Sequence, residues 1–157
     1  VKDLIVAAQK TRGITFSYIN GNESALLLIY NYRDDMKQAI GTMESLPMSK
    51  DPLVSLRATS ISTSFVKLNS KALKMSSSDA FDAYTGNIAQ ALMLAQTVSR
   101  SGSDSMSDFG KEVSKIMMET ILPLSEWMGE LRALGSGAAA KGSADRKAQV
   151  KMQVLLG

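Results

Sequence analysis

Ile5, Ala8, Arg12, Thr15 and Ile19 fall at alternating intervals of three and four, which sets an arginine in a helical seam of apolar and small residues. A guanidinium keeps its charge, so one buried there must find an acceptor. Its planar fork matches the oxygens of a carboxylate, nitrate or phosphate. A weak echo of this stretch, Met128-Gly129-Glu130-Leu131-Arg132-Ala133-Leu134-Gly135, follows 120 residues later, and its track runs through Ser125, Met128, Arg132, Gly135 and Ala139. The small members of that track would let another helix come close. Arg12 and Arg132 on neighbouring helices would form an anion site. A second track, Leu4, Ala8, Thr11, Thr15 and Tyr18, fits the first helix equally well and turns Arg12 to the rim, where a carboxylate such as Glu112 or Glu119 would pair with it. Spacing alone leaves both readings open.

Other chemistry is thin. The 157 residues contain no Cys and no His, which removes disulfides, thiolate or imidazole metal sites, cysteine nucleophiles and the Ser-His-Asp triad. Asp34-Asp35 and the scattered Glu residues show no catalytic pairing, and residues 135–142 lack the Lys-Ser/Thr that completes a phosphate loop. No enzyme activity, metal or cofactor is expected. Ten Met residues suit irregular helix packing better than a soft-metal site, and Trp127 suits a core or dimer contact. A net charge of +3 with 6% aromatic residues does not favour nucleic acid as a partner. Lys50, Arg57, Lys67, Lys71 and Lys74 read as a solvated face.

The elements that must hold the arginines are helical. Strand alternation is poor, and apolar residues recur at three and four. A first helix is expected over residues 2–19, stopped by Asn20-Gly21-Asn22, and a second from Glu23, carrying Leu27, Tyr30, Met36 and Ile40. A turn is expected between Pro47 and Pro52, then a helix over 53–73, and a break or cap at Ser76-Ser77-Ser78-Asp79. Residues 79–98 carry a strong stripe of Phe81, Tyr84, Ile88, Leu92 and Ala95. A polar break over 101–107 precedes a long helix from Asp108 that Pro123 should kink or divide at Ile121-Leu122. Residues 135–142 are either its ragged end or a place where two backbones meet. A last helix follows, capped by Ser143 or Asp145. Merging adjacent pieces gives an all-α, antiparallel up-down four-helix bundle with rods of about 40 Å and both chain ends at one pole.

Several of these stretches resemble a known family. Gln9-Lys10-Thr11-Arg12-Gly13-Ile14-Thr15 followed by Tyr18-Ile19-Asn20-Gly21-Asn22 is similar to the "Q-K-x-R-G-L-S … L-x-G-N" signature of helical extracytoplasmic sensor domains. These occur in bacterial chemoreceptors, histidine kinases and diguanylate cyclases and include the nitrate- and nitrite-sensing (NIT) type. Residues 78–88 and 98–102 also match, as does Leu122-Pro123-Leu124-Ser125-Glu126 leading to Gly129-Glu130-Leu131-Arg132-Ala133-Leu134-Gly135-Ser136-Gly137. The matches cover about half the chain in the expected order. Thr11 stands where the signature often has His or Glu, and Ala133 where Gly usually follows the second arginine.

The resemblance implies one helical sensor domain over residues 1–157, part of a longer inner-membrane receptor. The domain would be periplasmic, flanked by transmembrane helices, with a cytoplasmic signalling module beyond. It implies a small solute, anionic in the NIT type, and Gln9 joins Arg12, Thr15, Arg132 and Gly135 as candidate ligand contacts. A homodimer is the expected assembly. The alternative is a dimerisation or protein-interaction module with no small-molecule site.

Overall fold

The computed structural model describes residues 1–45, 52–102 and 105–157. Seven α-helices and no strand occur among them: α1 (Lys2–Ile19), α2 (Leu26–Ser45), α3 (Pro52–Lys71), α4 (Ser77–Gly102), α5 (Asp108–Ile116), α6 (Leu122–Lys141) and α7 (Arg146–Leu156). A π-helical turn, Met117–Ile121, joins α5 to α6, so those two make one continuous rod. The fold is all-α as expected, with more rods than the four obtained by merging. The expected turn after Pro47, residue Lys50, and part of the expected 101–107 break fall outside the described residues.

Helix α1 occupies the centre and packs against α2, α4 and α6. That position explains why two helical tracks fit it equally well. Leu4, Ile5, Ala8, Thr11, Arg12 and Thr15 are all buried, because neighbours cover it on three sides rather than one. Helix α2 runs back along α1, placing Lys10 over the Tyr32 ring, while Lys2 and Asp3 face Gln38 and Thr42. Helix α4 is also antiparallel to α1, as the Phe16–Phe81 and Arg12–Thr85 contacts show. Helix α6 is parallel to α1: Gln9 meets Glu126, Gly13 faces Ala133, and Phe16 lies on Gly137. The two echoed arginine stretches therefore lie side by side at matching height. Helix α3 lies chiefly against α4.

The main core joins Leu4, Ile5 and Ala8 of α1 to Met36, Ile40 and Met43 of α2, Phe65 and Leu68 of α3, and Tyr84, Ile88 and Leu94 of α4. On α2 the buried stripe is Ile29, Met36, Ile40 and Met43, whereas Leu27 and Tyr30 are exposed. A smaller cluster of Phe16, Phe81, Ala133 and Leu134 receives α7 through Ala148, Met152 and Leu155.

Local chemistry accounts for the ends of these helices. Gly21 takes φ +111° after α1, and Gly142 takes φ +74° after α6, a left-handed conformation that costs glycine little. Ser107 caps α5 by accepting from Gly110 N, and Asp145 rather than Ser143 caps α7 by accepting from Ala148 N at 2.8 Å. The α-helical ladder of the long rod is divided at Ile121-Leu122, as Pro123 led one to expect. The π turn widens the ladder just before the proline, and α6 restarts with it near its N-terminus, where an amide donor is not needed. The glycine-alanine stretch over 135–142 is helical through Lys141, and Gly137 is its point of closest approach.

Candidate functional site

Arg12 sits inside the α1–α4–α6 junction with 0% of its surface exposed. Its acceptor is Glu126 of α6. Nη1 donates to Oε1 of Glu126, Nη2 reaches Oε2 at 3.4 Å, and Gln9 Nε2 donates to the same Oε2 at 2.9 Å. Nη1 also donates to Thr85 Oγ1 at 3.0 Å, and the Phe81 ring lies 5.1 Å from the guanidinium carbon. Gly129 makes room for this arrangement. A Cβ built there would stand 3.2 Å from Nη2 of Arg12, tighter than ordinary packing.

Glu126 answers the question the seam posed, and neither Glu112 nor Glu119 does, since both are exposed on the outer rod. Burial pushes the Glu126 carboxyl above its ordinary value. Arg12 and Gln9 pull it back without offsetting that burial, and the nearby Glu130 adds to the rise. From Glu130 the charges continue outward: Lys151 of α7 lies 3.6 Å from Glu130 and 3.3 Å from Asp82, and Lys147 lies 3.0 Å from Asp82. Lys151 also stands 4.5 Å from the centre of the Phe81 ring. Burial would raise the Asp82 carboxyl, but the hydrogen bonds from Lys147 and Lys151 outweigh it and hold it below the usual range. Helix α7 is thus fastened to α4 and α6 by charge as well as by apolar contact.

Arg132 is on the other side of the α1–α6 contact. It is exposed and lines an open groove of 520 Å³ between α1, α6 and the start of α2. Lys10, Ser17, Asn22, Tyr32 and Ser136 supply the groove's other polar groups, Gly13 and Ala133 form part of its wall, and no carboxylate among the described residues lines it. Two cations, three hydroxyls and a carboxamide facing one space can bind a small anion.

Of the five sequence-derived residues, Gln9 and Arg12 therefore meet on Glu126, and Arg132 stands in the groove next door. Thr15 is fully buried one turn beyond Arg12, with Oγ1 lacking a hydrogen-bond partner. Gly135 is exposed, with open space where a side chain would be. Sequence reasoning missed Lys10 and Glu126. Lys10 was detectable at the 10, 13, 14, 17 spacing that marks a second face of α1, whereas Glu126 stood in a stretch that carries the resemblance but with nothing to pair it with Arg12.

A family model described as nitrate and nitrite sensing matches residues 3–157. No curated protein and no solved structure matches the chain.

Proposed function

The chain belongs to the nitrate and nitrite sensing family, and from that premise we propose that it is the periplasmic input domain of a bacterial transmembrane receptor, binding a small inorganic anion of nitrate's kind in the α1–α6 groove. The observation that carries this reading is the groove's composition, with Lys10 and Arg132 facing one space that no carboxylate among the described residues lines. Arg132 is the direct contact, and Gly135 keeps the neighbouring helical surface open. Arg12, Gln9 and Thr15 stand behind it. Through Glu126, Arg12 and Gln9 hold α1 in register with α6, so an anion drawing those helices together acts on an ion pair that is already charged and buried. From there Glu130 and Lys151 lead to α7, and a small slide of α6 would be handed on toward a flanking membrane helix. Helices α1 to α4 serve as the up-down four-helix core of this device, with the α5–α6 rod beside it.

The working unit in this reading is a homodimer. Phe109, Val113, Ile116, Ile121, Leu124 and Met128 are all exposed along the α5–α6 rod. Their intervals of four, three, five, three and four keep one face because the interval of five spans the π turn, which holds an extra residue. A second copy of the same rod is the occupant that such a seam fits.

Calorimetric titration with sodium nitrate, alongside thermal melts, tests the sensor reading. Nitrate is expected to raise the melting temperature of the wild type. Arg132→Gln should weaken nitrate at least about tenfold, in line with the loss of a charge-assisted bidentate contact. A wild type indifferent to nitrate, or an Arg132→Gln protein that binds it undiminished, would overturn the assignment.

A further inference from the structure

Helices α3 and α4 pack in opposite directions, with Arg57 meeting Thr97 toward one end and Asn69 meeting Tyr84 toward the other. Stripes that two packed helices turn to each other are ordinarily apolar. Between these two contacts the pair departs from that rule. Arg57, Ser60 and Ser64, spaced three and four apart on α3, face Asn87 and Gln90, spaced three apart on α4, across a cleft of 330 Å³. The buried Ile61 and Leu94 make an apolar floor, and the exposed Arg57, Ser60, Ser64 and Gln90 stand around the mouth.

The polar groups along this cleft are not engaged with one another. Ser60, Ser64, Asn87 and Gln90 make no hydrogen bond among the described residues, whereas Ser70 of α3 and Thr97 of α4 turn back to the carbonyls of Lys67 and Met93. Arg57 reaches Thr97 Oγ1 at 3.4 Å and has no carboxylate partner among the described residues. Charge on this face is one-sided. Residues 52–74 contain Arg57, Lys67, Lys71 and Lys74 but no Asp or Glu, and the positions 57, 60, 64, 67 and 71 place Lys67 and Lys71 on the same stripe as the cleft. A helix face of one sign draws anions toward it.

The composition of the cleft selects among anions. Its single cation is the planar fork of Arg57, which suits one carboxylate, and no described carboxylate is present to receive an ammonium group. Two hydroxyls and two carboxamides both donate and accept, as the hydroxyl groups of a guest do. The apolar floor suits the C–H face of a carbon chain, which an inorganic oxyanion lacks. A volume of 330 Å³ lies at the small end of the range of about 300–1,000 Å³ found for organic ligands. We propose that the α3–α4 cleft binds a hydroxylated monocarboxylate of sugar-acid size, with its carboxylate on Arg57 and its hydroxyls on Ser60, Ser64, Asn87 and Gln90. The cleft shares no residue with the α1–α6 groove and does not depend on the anion proposed there.

Sodium gluconate is the probe. It is compared with sorbitol, which has the same carbon chain without the carboxylate, and with sodium acetate, a carboxylate without hydroxyls, the two salts being held at equal ionic strength. The side-chain amide signals of Asn87 and Gln90 report on the cleft directly in isotope-labelled protein. Gluconate should move both signals saturably, with half-saturation at least about tenfold lower than for sorbitol or acetate. Arg57 is exposed, so Arg57→Gln should keep the fold while bringing gluconate down to the level of sorbitol. A Lys10→Gln/Arg132→Gln protein, which lacks the groove's cations, should respond to gluconate as the wild type does. Amide signals that stay still in gluconate overturn the site, as does an Arg57→Gln protein that still prefers gluconate to sorbitol. Acetate acting as well as gluconate would mark unselective attraction to the basic stripe, and a response lost in the groove variant would place the binding elsewhere; either result overturns the proposal.

Discussion

Arg12 and Glu126 form a pair whose partners depend on each other more than the fold depends on the pair. Removing one member of a buried ion pair strands the other, typically at a cost of about 3–5 kcal/mol. Arg12→Ala is therefore expected to lose that much in chemical denaturation, since it leaves Glu126 buried beside Glu130. The pair also writes a pH dependence. The folded protein holds the Glu126 proton more tightly than the unfolded chain does, so the contribution is fully stabilising below the ordinary value of 4.5 and fades as pH rises through the raised one. Melts over about pH 4 to 8 should show a flatter profile for Glu126→Gln than for the wild type, and an identical slope would contradict the assignment. Burial of Arg12 was one of two readings its spacing allowed, and packing of α1 on three sides decides between them. The identity of its acceptor was not legible, because Glu126 lies 114 positions away and nothing within one helix fixes its register against another.

At the scale of the element, the sequence marked helices wherever a stop was chemical, and misjudged them where packing decided. Asn20-Gly21 ends α1 and the proline at 52 opens α3, as the residue types require. Pro123 marked the Ile121-Leu122 boundary, but the sequence pattern carries no sign of the π turn that precedes it. Leu27 and Tyr30 looked like core because they are apolar, but the face of α2 turned to α1 is set by Ile29 and Met36. Residues 135–142 allowed two readings, and the Phe16 ring chooses between them. A Cβ on Gly137 would stand 2.0 Å from Cε1 of that ring. Gly137→Ala should thus destabilise by about 1–2 kcal/mol, overpacking outweighing the helix-propensity gain of about 1 kcal/mol. Gly135→Ala, with open space around it, should be neutral or stabilising by up to about 1 kcal/mol, and urea titration of the two proteins makes the comparison.

For the whole molecule, the exposed stripe on the α5–α6 rod sets the test of assembly. Phe109 is 80% exposed, so Phe109→Glu should leave the fold intact while lowering self-association in sedimentation experiments, and equal association of the two proteins would remove the seam from the proposal. The central place of α1 has a consequence of another kind. Helix α1 is synthesised before α2, α4 and α6, which all pack on it, and the counter-carboxylate of Arg12 comes 114 residues later. At ribosomal rates of about 5–20 residues per second, that is a wait of roughly 6 to 23 s. During it, α2 and α4 emerge for α1 to close on, but the Arg12 guanidinium has no carboxylate to meet. Closure of this core therefore waits on its last third, and a chain interrupted before Glu126 leaves the Arg12 guanidinium without its acceptor.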